Sequence, residues 1–186
     1  MKYYQTILAD PPWAERGAGK IKRGADRHYS ILSTDDIIKL PVRDIAYNNC
    51  HLYLWVTNNF LPDGLKVMNA WGFRYVTKID WGKVKNPSQF GLFDFDFEPE
   101  EAQRGLGQYF RGSSESCLFG VKGKLPYKGQ GNTLILAERT KHSKKPKEIY
   151  EMIERVSYPS YLELFARNKR EGWDVWGNEI ESDINF

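Results

Sequence analysis

The sequence predicts an α/β fold: a mostly parallel sheet with helices on both faces. Three observations carry this. Short apolar runs that read as strands alternate with stretches of helical period. Residues 50–57 (CHLYLWVT) form a continuous apolar and aromatic run, the pattern of a strand covered on both sides. The chain has 186 residues, the size of one ordinary domain that can bury a sizeable core.

Taken in order, Tyr3 to Ala9 reads as a buried strand. Asp10-Pro11-Pro12 stops it, because each proline removes a backbone donor. Residues 14–33 have no hydrophobic period, and Gly17, Gly19 and Gly24 loosen them into a long loop. Thr34 is placed to N-cap a short helix through Leu40, with Asp35 and Asp36 favoured in its first turn by the helix dipole. The strand Cys50 to Thr57 follows. Leu61, Leu65 and Met68 have the spacing of one helical face, which ends near Gly72. Phe73 to Trp81 alternates as a strand. Residues 83–112 are irregular and hold the acidic residues Asp94, Asp96, Glu98, Glu100 and Glu101. Ser116–Val121 and Thr133–Ala137 read as short strands. Ile149, Met152, Ile153 and Val156 mark an amphipathic helix that Pro146 can start. Tyr161–Ala166 is the last strand expected. Ligands of open α/β sheets sit at the carboxyl ends of strands. Chemistry is therefore sought in the loops after Ala9, Thr57, Trp81, Ala137 and Ala166.

Composition narrows the function. Lys plus Arg number 27 and Asp plus Glu 24, a net charge of +3, unlike a histone-like polycation or an acidic disordered tail. No apolar run approaches transmembrane length, so no membrane partner is expected. The first residues lack a charged n-region followed by an apolar stretch. Cys50 and Cys117 are too few for a disulfide framework and suit a reducing, cytoplasmic setting. Three histidines without a CxxC or HExxH pattern suggest no metal site. Gly105 and Gly107 do not open a GxGxxG fingerprint, because position 110 is Phe.

The strongest local signal is Asp10-Pro11-Pro12-Trp13. The prolines stiffen the chain and leave their carbonyls as acceptors, Asp10 adds a carboxylate, and Trp13 adds a flat apolar face. Acceptors beside a stacking face suit a planar ring with an exocyclic amine, such as adenine. The lone pair of that amine is delocalised into the ring. Acceptors that hold its N–H groups favour a pyramidal nitrogen and expose the lone pair to an electrophile, which is positioning and electrostatics more than strong-base chemistry. The bland reading is an Asp-Pro turn with Trp13 packed as core. Other residues divide in the same way. Lys145 lies in the basic run Arg139, Lys141, Lys144, Lys145 and Lys147, which by itself reads as a solvated face. Glu163 lies on an apolar strand and must be paired if buried. Trp55 reads as core. Glu115 is either a turn residue or a wall of a base pocket.

Several segments, in order, extend the signal. They are ILADPPW at 7–13, HYSILSTDDI at 28–37, LYLWVTN at 52–58, AWGFRY at 70–75 and DWGK at 80–83. They continue with GLGQYFRGSSESCLFGVKG at 105–123, SKKPKEIYEMIERVS at 143–157, LELFAR at 162–167 and GWDVWGNE at 172–179. In these segments the sequence resembles the DPPW-type N6-adenine methyltransferases, a family that includes the eukaryotic mRNA adenosine methyltransferase and small bacterial and phage enzymes. The resemblance implies one Rossmann-like methyltransferase domain over 1–186, with permuted motif order and substrate-side loops 14–33, 84–112 and 122–132. It implies methyl transfer from S-adenosylmethionine to the N6 nitrogen of adenine. It places Asp10, Pro11, Pro12 and Trp13 at the target amine and base. Lys145 becomes a partner for the cofactor's methionine carboxylate, and Arg167 and Asn178 reach its ribose or adenine. Glu179 stands where some members carry Gln. The strand bearing Glu163 and Phe165 takes the place of the missing dinucleotide loop. Tyr29, Lys83 and Glu115 fall near the target base.

The implied partner is nucleic acid. Residues 14–29 carry five basic and two acidic side chains, and 139–147 carry five basic and none acidic. Basic loops of this kind hold phosphates, with affinity that falls as salt rises. Adenine N6 is inaccessible to an enclosed site inside an intact duplex, so a duplex substrate needs base flipping. No added reader module is seen, and the motifs look most like the short bacterial and phage type, so DNA is expected before RNA. RNA adenosine methylation is the alternative within the class. A non-catalytic platform for a partner subunit is the alternative outside it. The stretch 84–112 is a candidate surface for a homo- or heterodimer.

Overall fold

The computed structural model describes residues 2–14, 31–85, 109–138 and 144–186. Tyr29, the acidic stretch, Arg139, Lys141 and most of the loops 14–33 and 84–112 lie outside the described residues, so the dimerisation reading is carried no further.

The described elements are β1 (Tyr4–Ala9), α1 (Thr34–Lys39), α2 (Val42–Ile45), β2 (Ala46–Val56), α3 (Leu61–Ala70), β3 (Arg74–Lys83), β4 (Ser114–Lys122), β5 (Leu134–Ala137), α4 (Lys147–Val156), β6 (Tyr161–Leu164) and β7 (Trp173–Trp176). The strands form one sheet in the order β5-β3-β4-β2-β1-β6-β7. All pairs are parallel except those of β4, which runs against β2 and β3. The expected α/β architecture is present, with helices on both faces. On one face Ile37, Val42, Val67, Met68 and Trp71 from α1, α2 and the α3 end pack on Ile7, Leu52, Leu54 and Leu118. On the other, Ile149, Met152 and Ile153 of α4 pack on Leu8, Tyr53, Trp55 and Cys117. Alternate residues of β1 and β2 feed the two cores, as the period of a strand requires. Among the described residues no helix is long and apolar enough to cross a membrane.

Several details differ from the sequence reading. Ser33, not Thr34, caps α1: its Oγ accepts from the Asp36 backbone N–H at 3.1 Å. The buried stripe of α3 is Gly64, Val67 and Met68, and Leu65 is 39% exposed. Gly64 explains the rotation, since a Cβ there would sit 2.4 Å from Val56 Cγ1, so α3 lies directly on β2. β2 begins at Ala46, and β7 arises from the WDVW segment that carried no strand expectation. The loop 122–132 is not on the substrate side. β4 is antiparallel, so Ser114 lies near the carboxyl ends of the other strands and Lys122, paired with Cys50, lies near their amino ends. The loop leaves from that far end, where Leu125 meets His51 and the Lys128 N–H donates to the Val156 carbonyl.

Candidate active site

β1 is central, and its chain runs from Ala9 straight into Asp10 between the ends of β2 and β6. The Asp10 N–H reaches the Leu164 carbonyl at 3.4 Å. The antiparallel pair β3–β4 sets Gly82 opposite Ser114 and Trp81 opposite Glu115, which brings Lys83 and Glu115 to the same end. Pro146 begins α4 there as well, and Lys145 immediately precedes it.

These elements assemble four alternating charges. Lys145 Nζ lies 2.6 Å from Asp10 Oδ2 and 3.4 Å from Glu115 Oε2, and Lys83 Nζ lies 2.6 Å from Glu115 Oε1. The Lys145 side chain is only 11% exposed, so it is not part of a solvated face; Asp10 and Glu115 keep 26% and 23%. Burial alone would lower the Lys145 pKa, but the carboxylates of Asp10 and Glu115 turn it above its ordinary value. Burial likewise opposes ionisation of Glu115, and the two lysines hold its carboxyl below the usual range. Each lysine rests on an indole: Lys145 Nζ is 5.2 Å from the Trp55 ring centroid and Lys83 Nζ is 5.0 Å from that of Trp81. Trp55 is core, as read from the sequence, and it is also the floor beneath this cation.

The proline loop is tied down. The Pro11 carbonyl accepts from the Trp13 N–H at 2.9 Å and the Pro12 carbonyl from the Leu32 N–H at 3.0 Å. A carbonyl has two lone pairs, so Pro11 retains one for a ligand. Trp13 is 5% exposed, stacks on Phe60 at 5.4 Å and donates its indole N–H to the Trp55 carbonyl at 2.9 Å. It holds the loop from beneath instead of offering an open stacking face, which corrects the expectation of a base-facing ring.

The remaining candidates gather at the adjacent strand ends. Glu163 of β6 accepts from the Tyr150 hydroxyl at 2.9 Å through Oε1. Burial pushes its carboxyl up to about 7 despite that bond, and the Asp10 charge adds to the rise. β6 ends because Phe165 adopts φ 64, an uncommon conformation for a side-chain-bearing residue, which turns its ring onto Trp176 at 5.4 Å. The Ala166 N–H then donates to the Trp176 carbonyl at 2.9 Å. A Cβ on Gly177 would meet the Ala166 carbonyl at 2.2 Å, so only glycine lets the two strand ends close. Arg167 thereby lies beside Glu179, with Nε 3.7 Å from Oε1, and Asn178 is exposed next to them.

The sequence that builds this arrangement matches known proteins. A family model described as MT-A70 matches residues 4–179. The chain belongs to the MT-A70 family. The type II methyltransferase M.MunI of a Mycoplasma species is 30% identical over 203 residues, covering 96% of this chain and 78% of that protein. The human N(6)-adenine-specific methyltransferase METTL4 and the human N(6)-adenosine-methyltransferase catalytic subunit METTL3 are each 30% identical over 188 residues and 96% of this chain. This chain spans 38% of METTL4 and 28% of METTL3. Within this MT-A70 chain the structure brings together Asp10, Lys145, Glu115 and Lys83 on one side and Phe165, Arg167, Asn178 and Glu179 on the other. Sequence reasoning missed the pairing of Lys83 with Glu115, the two supporting indoles and Tyr150. The first two follow from strand register, which motif spacing does not disclose.

Proposed function

We propose that this chain transfers a methyl group from S-adenosylmethionine to the N6 amine of adenine in nucleic acid. The observation that carries the reading is the charge array at the end of β1, in which Asp10 is held by Lys145 within a proline-stiffened loop. Asp10 Oδ2 is committed to Lys145 at 2.6 Å, which leaves Oδ1 to accept one N–H of the amine. The second lone pair of the Pro11 carbonyl accepts the other. Holding both hydrogens exposes the nitrogen lone pair in line with an incoming electrophile. A carbon–nitrogen bond forms, a carbon–sulfur bond breaks, and the amine gives up one proton, taken at Asp10 Oδ1 and passed to solvent. Glu115 and Lys83 wall the base side.

The neighbouring residues fit the cofactor chemically. Phe165 offers an aromatic edge, Arg167 and Asn178 offer donors, and Glu179 offers acceptors for ribose hydroxyls, all at adjoining carboxyl ends of strands. Bound there, S-adenosylmethionine supplies an electrophilic methyl on a positively charged sulfur. Lys145 serves the methionine carboxylate in addition to its two carboxylate partners. Among polymers, DNA comes first, because the relative spanned most fully among those compared is the type II methyltransferase. RNA is the second arm of the test. Purified protein, tritiated S-adenosylmethionine and duplex DNA, single-stranded DNA or RNA are combined and the modified base is identified. N6-methyladenine in either polymer supports the reading. Label on another base or atom, or no transfer to any polymer, overturns it.

A further inference from the structure

Tyr150 stands one turn into α4 from Lys145 and is clamped on two sides. The Arg170 guanidinium lies 4.8 Å above its ring and the Trp173 ring meets it edge-on at 5.6 Å. Glu154 fixes both clamps, accepting from Arg170 Nε at 3.0 Å and from Trp173 Nε1 at 2.8 Å. A ring held this firmly has one place to put its hydroxyl, and that is Glu163 Oε1 at 2.9 Å. Glu163 Oε2 has no hydrogen-bond partner among the described residues. Glu163 lies opposite Leu8 in the β1–β6 ladder, two positions before Asp10.

We propose that Tyr150 is a positioning residue: its hydroxyl holds Glu163 so that Oε2 faces the crevice beside Asp10 and receives the ammonium group at the amino-acid end of S-adenosylmethionine. This rests on the methyltransferase reading above and deepens it.

The groups that face Glu163 are Tyr150 and Lys145 from α4 and its approach, Asp10 from the end of β1, and Arg170 from the approach to β7. Burial and Asp10 push its carboxyl up to about 7, while Tyr150, Arg170 and Lys145 pull the other way. Removing the phenol hydrogen bond removes one of the groups that keep Glu163 ionised. A further rise of about one unit leaves roughly a tenth ionised at pH 7 instead of about half, a loss of about fivefold in the ammonium-binding form.

The test is calorimetric binding of S-adenosylhomocysteine, which carries the same amino-acid end, to the native chain and to Tyr150→Phe at pH 7 and pH 9. The ratio of the two dissociation constants cancels the titration of the ligand itself. The expected ratio is about five at pH 7, approaching one at pH 9. In a Glu163→Gln background, Tyr150→Phe costs nothing further at either pH. A ratio equal at the two pH values, including a ratio of one, overturns the inference and leaves the functional reading standing. No binding by the native chain at either pH overturns the functional reading and this inference with it.

Discussion

Replacing Lys145 with Met tests whether the charge array is held by its central cation. Methionine fills similar volume above Trp55 but leaves Asp10 and Glu115 facing one another without the ion that separates them. Removing one partner of a buried pair costs about 3–5 kcal/mol. The lower end applies here, because Asp10 and Glu115 retain some water and Glu115 keeps Lys83 at 2.6 Å. About 3 kcal/mol lowers the Tm of a domain this size by about 6–12 °C. The effect depends on pH with a definite sign. In the native chain the Glu115 carboxyl is held below its ordinary value. Its stabilisation is therefore present above the unfolded carboxyl pKa and is lost as pH falls through the lower, folded value. Without Lys145 that carboxyl titrates higher, so acid relieves the variant before it harms the native chain. Thermal melts at pH 7.5 and pH 4.5 should show the gap between the two proteins narrowing on acidification. A loss under about 2 °C at pH 7.5, or a gap unchanged at pH 4.5, refutes the argument.

Three further outcomes are expected. His51 Nε2 lies 3.1 Å from the Leu125 carbonyl, which can only accept, so the ring proton is there and Nδ1 accepts from the Ser157 hydroxyl at 2.7 Å. Burial holds His51 below its ordinary pKa, so native stability should fall as pH drops below about 6.5, and His51→Gln should lose that part of the slope; equal slopes between pH 7 and pH 5.5 count against it. Gly177→Ala should destabilise by about 1–3 kcal/mol and weaken S-adenosylhomocysteine binding, because the new Cβ would lie 2.2 Å from a backbone oxygen; unchanged melting and calorimetry would show that the strand ends can part freely. Trp13→Phe should cost about 1–3 kcal/mol in urea unfolding by leaving the buried Trp55 carbonyl without its 2.9 Å donor, and an unchanged midpoint would contradict that role.

Much of the frame was legible because its signals are local. The stop at Asp10-Pro11-Pro12 marks the end of β1, and the spacing of Ile149, Met152 and Ile153 marks the buried face of α4. What escaped depends on contacts distant in sequence. Trp13 is as compatible with a ligand face as with core until Phe60 is seen stacked on it. Lys145 looks like one more cation in a basic run until β1 and β4 deliver Asp10 and Glu115 to it. Loop 122–132 looks like its neighbours until the reversed direction of β4 sends it to the far end of the sheet. Leu65 falls on the expected helical face, yet the close approach allowed by Gly64 turns α3 past it.

The central claim is that Asp10, held by Lys145, accepts the hydrogens of an adenine amine during methyl transfer. The most direct measurement is tritiated methyl transfer to an adenine-containing oligonucleotide by Asp10→Asn beside the native chain. The amide keeps the shape of Asp10 but removes its charge and turns an N–H donor toward either Lys145 or the amine. The account predicts N6-methyladenine from the native chain and a fall of about a hundredfold to a thousandfold in turnover for the variant, the scale lost with an electrostatic contact that acts on the transition state. Turnover by Asp10→Asn within about tenfold of native would contradict it.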